Sequence, residues 1–239
     1  MPSRREVLLH LSSALQALPS GRRLVAIDGV DGSGKTVLAA ELAAALRDAG
    51  RSVVEVHVDD FHHLRARRYA RGRLSPEGFW LDSYDYVALE RDVLRPLRAD
   101  GPGFYRWGAT DLDRDVRLDL VPVEAPGDAI VLVEGIFLHR NELVRWWDYS
   151  LYIDVPFEES ARRMAVRDGL PAAADDLHVR RYVDGQKLYF EACRPWERAS
   201  VVIDNADWSS PRLVLTGDGD ADSSRPSSAS GTEGSEARG

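Results

Sequence analysis

A parallel β-sheet flanked by helices is the fold this sequence predicts, and three observations predict it. Gly29-Val30-Asp31-Gly32-Ser33-Gly34-Lys35-Thr36 fits the pattern G-x-x-x-x-G-K-[ST] at every fixed position. Leu24-Val25-Ala26-Ile27 before it is a short apolar run, as a buried parallel strand would be. Val37 to Leu46 after it consists of strong helix formers. Strand, glycine loop and helix in this order build a phosphate site. Glycines let backbone N–H groups turn toward an anion, and the helix start adds unpaired N–H groups and a positive dipole end. The expected class is therefore an α/β P-loop NTPase. Gly29, Asp31, Gly32, Ser33, Gly34, Lys35 and Thr36 are its candidate nucleotide-binding residues. In such a loop the lysine reaches the β- and γ-phosphates and the hydroxyl ligates magnesium, so a nucleotide and Mg2+ are the expected ligands. The motif leaves the use of the phosphate open, because GTPases, motors and small-molecule kinases share it.

Length and charge narrow the field. At 239 residues with 44% hydrophobic residues, the chain can bury one α/β core. The formal net charge is −8. From Thr216 onward there are five acids and two arginines, which leaves the folded part at −5. An acidic body argues against a nucleic-acid partner, whose phosphates favour a basic face. The single cysteine, Cys193, excludes an internal disulfide framework and a cysteine-based zinc cluster. It suits a reducing cytoplasm, the expected location. Arg4 and Arg5 are followed by a segment too broken by polar residues for a signal peptide. No run approaches the roughly 18 apolar residues of a transmembrane helix. A small-molecule substrate, with neither nucleic acid nor membrane, is the expected partner; a homo-oligomer is compatible with all of this.

The elements follow in order. Ser3-Arg4-Arg5-Glu6 is a capping-box pattern, and Val7, Leu8, Leu11, Leu15 and Leu18 share one helical face, so residues 1–20 should carry a helix beside the domain. After the loop helix, Gly50 stands where a C-terminal glycine would. Ser52 to Val58 reads as a strand ending at Asp59-Asp60-Phe61-His62. Ligand groups collect at the carboxyl ends of strands in open α/β sheets, which puts this acidic pair near the phosphates. Asp also favours turns and caps. Side chains alternate across a strand, so Asp59 and Asp60 should point to opposite faces.

Leu64 to Arg73 carries Arg65, Arg67, Arg68, Arg71 and Arg73, either a solvated basic segment or a grip on an anionic substrate. Ser75-Pro76-Glu77-Gly78 is a turn signal, and a helix is expected over Tyr84 to Leu97. Trp80 and Tyr84 can stack on a base or pack a core. A ribbon is expected within Asp111 to Leu120. Ala129 to Val133 is a continuous apolar strand followed by Glu134, where P-loop proteins hold magnesium. A strand over Tyr149 to Val155 and a helix over Pro156 to Arg167 come next. That helix carries Arg162, Arg163 and Arg167, which can neutralise a transferring phosphoryl group or simply solubilise a helix. Asp175 to Cys193 reads as a long helix with an unfavourable Gly185 inside it. Ser200 to Ile203 is a last core strand, and Arg212 to Leu215 an edge strand. One domain over residues 1–215 is expected. The Gly/Ser-rich acidic segment 216–239 has too little apolar surface to fold and is expected to be a disordered tail.

With these residues assembled, the chain resembles the uridine kinase and phosphoribulokinase-like branch of P-loop kinases over about Arg22 to Asp207. The loop Gly29 to Thr36, Asp59-Asp60-Phe61-His62, Phe79 to Asp85, Val133-Glu134-Gly135-Ile136, Arg162 to Asp168 and Tyr182 to Asn205 carry the resemblance. It implies transfer of the γ-phosphoryl group of ATP to a hydroxyl of a small metabolite. Lys35 and Thr36 would hold phosphates and metal, Asp59 would take the hydroxyl proton near magnesium, and Glu134 would complete the metal shell. Asp82 would grip substrate hydroxyls beside Trp80 and Tyr84, and Arg162, Arg163 and Arg167 would belong to a helical lid. A nucleoside such as uridine or cytidine is the acceptor the resemblance favours. Uridine kinases usually carry a tyrosine where His62 stands, and a His-Pro pair where Ser83-Tyr84 follows Asp82. Pantothenate, nicotinamide riboside and sugar phosphates therefore stay open as acceptors. A nucleotide-switch ATPase is the alternative outside the kinases, although no N-K-x-D motif for guanine is present.

Overall fold

The computed structural model describes residues 3–169 and 177–214. Both the tail from Thr216 and the expected start of the last long helix at Asp175 lie outside these. Helix α1 (Arg4–Gln16) begins with the expected reciprocal cap, in which Glu6 N–H donates to Ser3 Oγ and Ser3 N–H to Glu6 Oε2. Its Val7, Leu11 and Leu15 are buried. They pack against α2 (Lys35–Asp48), to which Arg4 is tied by an ion pair with Glu41 at 2.7 Å.

Among the described residues six strands form the main sheet: β1 (Arg23–Gly29), β2 (Val53–His57), β3 (Ile130–Gly135), β4 (Tyr149–Asp154), β5 (Val201–Asp204) and β6 (Arg212–Val214). Their spatial order is β6-β5-β4-β1-β3-β2, parallel except for the antiparallel edge strand β6. β1 and β3 are buried almost throughout, as central parallel strands covered on both faces must be. Alternation along β1 divides the core. Leu24 and Ala26 face a cluster with Phe61, Phe79, Leu89, Leu94 and Phe137, while Val25 and Ile27 face α1 and α2. Because β1 to β5 are parallel, Gly29, His57, Gly135 and Asp154 end at one edge of the sheet, where the functional residues gather.

Several expected elements are corrected. β2 stops at His57, and Val58–Phe61 is a 3-10 turn, so the alternation rule no longer governs Asp59 and Asp60. Ser75-Pro76-Glu77-Gly78 opens a helix instead of a turn: α3 (Pro76–Asp82) has Pro76 in its first turn and Ser75 Oγ accepting from Gly78 N–H at 3.0 Å. The next helix, α4 (residues 86–97), starts after Asp85, which caps it through Ala88 N–H. Within it Glu90–Leu94 widens to π geometry directly before Pro96, which has no N–H to continue the ladder. The expected ribbon shrinks to two short antiparallel pairs, Thr110–Asp111 with Val116–Arg117 and Phe104–Tyr105 with Val123–Glu124.

Glu134 lies inside β3 and not beyond its end. Helices α5 (Phe157–Asp168) and α6 (Leu177–Cys193) flank the remaining approach to the sheet edge. Gly185 does not break α6. A Cβ there would stand 2.7 Å from Phe79 Cδ1 and 2.9 Å from the Pro76 carbonyl oxygen, so the glycine lets α3 lie directly on α6. Among the described residues no helix is long and apolar enough to cross a membrane.

Candidate active site

The phosphate loop is held from outside. Gly29 ends β1 with no room for a side chain, because a Cβ would be 2.7 Å from both the Ile153 carbonyl oxygen and Ser33 Oγ. Gly32 and Gly34 have φ of 69° and 94°, which reverses the chain where other residues would be strained. The carbonyl oxygens of the loop are taken up one by one. Ser160 Oγ donates to that of Asp31 at 2.6 Å, Asn205 Nδ2 to that of Ser33 at 2.8 Å, and Arg163 Nη1 lies 3.5 Å from that of Gly32. Gln186 Oε1 accepts from Asp31 N–H at 2.9 Å. These bonds hold the loop in one shape. No side chain caps α2, so its first N–H groups keep their capacity for an anion. Lys35 is 9% exposed and donates to the Val30 carbonyl oxygen at 2.9 Å, the resting position of a charge that belongs to the cavity.

Beside the loop, Thr36 Oγ1 donates to Glu134 Oε1 at 3.1 Å. The same oxygen is 2.7 Å from His57 Nδ1, and that hydrogen bond holds the His57 ring above its usual pKa. Asp60 is close enough to feel both groups. Burial pushes its carboxyl up, with Asp59 and Glu134 adding to the rise and His57 opposing it. Asp59 is exposed, and Tyr84 OH donates to its Oδ1 at 3.0 Å. Among the described residues no three His, Cys, Asp or Glu side chains converge on a metal site. A hydroxyl and a carboxylate at hydrogen-bond distance are nevertheless the hard-oxygen donors Mg2+ uses when substrate phosphates and water complete its shell. The donor set fits that ion.

The acceptor side is built from separate segments. Tyr84 is buried, and its ring lies 4.3 Å from the His62 ring, whose Nδ1 is 2.7 Å from the Asp59 carbonyl oxygen. Trp80 packs on Phe137 and Tyr189 at ring distances of 4.8 and 5.2 Å, with the Arg140 guanidinium 4.4 Å from its centre; these contacts make it a wall of the core. Asp82 is ion-paired with Arg71 at 2.8 Å and Arg67 at 3.9 Å. The three lid arginines separate. Arg162 is exposed and paired with Glu159, Arg167 is exposed, and Arg163 turns under the loop to the carbonyl oxygens of Asn205 and Ala206 at 2.8 and 3.0 Å. Arg162 and Arg163 together hold the Glu159 carboxyl down at about 2.

Sequence patterns placed Asp60 near the phosphates, beside Asp59 at a strand end, but gave no role to His57, Ser160, Gln186 or Asn205, which act through long-range contacts that no local spacing records.

No family model matches the chain, and no curated protein does. Solved structures do. A possible uridine kinase from Bacillus stearothermophilus superposes with a TM-score of 0.66 at 27% identity, covering 83% of this chain and 97% of that one. A candidate fructose transport system kinase from Silicibacter sp. TM1040 gives 0.63 at 27% identity, covering 78% and 95%. The sheet order, the loop and these near-complete superpositions agree: the chain has a P-loop kinase fold and is similar to the possible uridine kinase over nearly the whole length of that protein.

Proposed function

We propose that this chain transfers the γ-phosphoryl group of ATP to a hydroxyl of a small metabolite. The observation that carries the reading is the convergence at one sheet edge of the anion-ready loop, the Thr36–Glu134 pair and the exposed Asp59 carboxylate. In the transfer, the bond from phosphorus to the ADP oxygen breaks and a bond to the acceptor oxygen forms, and Asp59 takes the hydroxyl proton. Tyr84 donates to one oxygen of Asp59, which orients the carboxylate and leaves the other for the substrate. Lys35 has only to leave the Val30 carbonyl to meet the phosphates. Thr36 and Glu134 would hold Mg2+, with Asp59 or Asp60 beside them; the ion would neutralise charge on the phosphates. The two kinase neighbours support the reaction class. Uridine and cytidine come into view as acceptors through the resemblance to uridine kinases.

The test is ADP release measured with and without added hydroxylated acceptors. Acceptor-dependent turnover supports a kinase, whereas the same rate with water alone points to a nucleotide-switch ATPase. Lys35→Ala should keep the fold and lower kcat/KM by roughly a hundredfold or more, the scale of losing one preorganised charge donor. An unimpaired Lys35→Ala enzyme would take the phosphate loop out of the mechanism.

A further inference from the structure

Arg181 is a buried cation with no ion pair among the described residues. It is 8% exposed, its Nη1 donates to the Arg73 carbonyl oxygen at 2.6 Å, and its Nε is buried with no hydrogen-bond partner among the described residues. The guanidinium groups of Arg68, Arg73 and Arg181 stand 5.3, 5.2 and 5.3 Å from the centre of one ring, that of Tyr69. Arg68 also has an orphaned buried Nε, and its acid, Asp115, is 4.0 Å away at the limit of an ion pair. The neighbouring arginines are answered differently: Arg67 and Arg71 by Asp82, Arg65 by the Asp113 carbonyl. Aromatic faces soften the burial of Arg181, since Phe79 and Tyr182 also lie under it. They do not neutralise it. A buried guanidinium beside two others calls for an anion, and its planar fork matches a phosphate or a carboxylate.

The cluster stands on the acceptor side. Arg181 lies 5.4 Å from the centre of the Phe79 ring, which is 5.4 Å from the Phe137 ring, itself 6.4 Å from that of Tyr84, and the charges of Arg68 and Arg181 reinforce the downward shift that burial gives the His62 pKa. His62 in turn bonds the Asp59 backbone and lies tilted against the ring of Tyr84, which bonds the Asp59 carboxylate. Resting on the kinase reading, we propose that Arg68 and Arg181 bind an anionic group of the acceptor, which is therefore a hydroxylated phosphate monoester or carboxylate and not a neutral nucleoside. The anion would anchor one end of the acceptor between the arginines and deliver a hydroxyl from the other end to Asp59.

The experiment has two arms. In the first, ADP release is screened with sugar phosphates, hydroxy acids including pantothenate, neutral sugars and nucleosides. Turnover confined to anionic acceptors is expected, and the comparison of phosphates with carboxylates names the source of the charge. Arg181→Gln and Arg68→Gln should each raise the acceptor KM at least about tenfold, the scale of a lost charge-assisted hydrogen bond, while ATP affinity stays within about twofold. Turnover of uridine with anionic acceptors inert would overturn the proposal. So would weakened ATP binding with unchanged acceptor KM, which would give Arg181 to the donor.

The second arm does not need catalysis. Inorganic phosphate should raise the Tm of Lys35→Ala, in which the phosphate loop has lost its lysine, more than that of the Lys35→Ala/Arg181→Gln double variant, in which only the backbone N–H groups of the loop remain for it. Equal stabilisation of both overturns the site, while loss of all turnover with phosphate binding intact overturns the kinase reading alone. Arg68→Gln, at a less buried position, gives the same comparison should Arg181→Gln fold poorly.

Discussion

The donor half and the acceptor half of the site are built on opposite plans. The donor half is mostly backbone. A contiguous segment, Gly29 to Thr36, shapes the cavity, and Ser160, Asn205, Gln186 and Arg163 fix it by grasping its peptide groups. The acceptor half is all side chains. His62, Arg68, Tyr84 and Arg181 come from three stretches of chain and meet through ring contacts and guanidinium stacking. A backbone cradle suits a ligand group that never changes, the polyphosphate. Side chains can be exchanged one at a time, which suits the partner that differs between kinases. Substitutions that strike one half should therefore separate ATP affinity from acceptor handling.

The largest effect is expected at the boundary of the halves. Asp59→Asn keeps size and the bond from Tyr84 but cannot take a proton, and should lower kcat by 10²–10⁴-fold, about 3–5 kcal/mol in the barrier, with ATP still bound. Asp60→Asn bears on the donor half instead. Because the Asp60 carboxyl feels Glu134 and His57, its loss should raise the Mg2+ requirement roughly 10-fold while kcat at saturating Mg2+ changes less. ADP release titrated with Mg2+ distinguishes them. The reverse pattern would exchange the roles of the two acids.

The same division governs what the sequence could tell. The loop, the buried strands and the capped first helix were legible because each is written in consecutive residues: glycine spacing, an apolar run, Ser3 with Glu6 three positions on. Glu134 was legible because strand ends converge in a parallel sheet. The 3-10 turn at Val58–Phe61 was not, since nothing in Val-Asp-Asp-Phe forbids another strand residue; burial of Phe61 in the core and the bond from Ala109 N–H to the Asp60 carbonyl oxygen hold it. Asp82 and Arg163 show the further limit. Both stand in the motif positions that suggested ligand contacts, yet one is occupied by Arg71 and the other by backbone carbonyls, and neither pairing follows from spacing. Gly185 read as a weakness in a helix because the contact that requires it comes from Phe79 and Pro76, about a hundred residues away.

Two smaller substitutions probe each half through its supports. Asn205→Ala removes the donor to the Ser33 carbonyl in a buried setting and should cost about 1–3 kcal/mol of stability. Its kinetic signature should be a raised KM for ATP with acceptor KM unchanged. Gly185→Ala forces a methyl into the α3–α6 contact, costing about 1–3 kcal/mol by overpacking. Here the acceptor KM should rise, because α3 and α6 carry Trp80, Asp82 and Arg181. Thermal melts with both Michaelis constants check the pair. If both variants disturb ATP alone, the halves are not separable.

The smallest effect is the pH dependence that His62 contributes from the acceptor half. Burial holds the His62 ring below its ordinary pKa of 6.5, with Arg68 and Arg181 acting in the same direction. Between the folded pKa and 6.5 the unfolded chain binds more protons than the folded one, so stability rises with pH across that window. The contribution is complete above 6.5 and is lost as pH falls through the window. His63 is also lowered by burial, whereas His57 is raised by its bond to Glu134 and acts oppositely, its stabilisation fading as pH rises. The native profile is the sum of these, so the informative quantity is the difference in Tm between the wild-type chain and His62→Gln. Glutamine keeps a donor near the Asp59 carbonyl but does not titrate. The variant should be less stable than the wild type at pH 8, where its packing on Tyr84 is poorer, and the gap should narrow as the pH is lowered below 6.5. An anion between Arg68 and Arg181 would offset part of their charge, so inorganic phosphate should make the wild-type profile less steep. A gap that widens in acid would mean that His62 gains a proton on folding, and that the guanidinium groups do not face it.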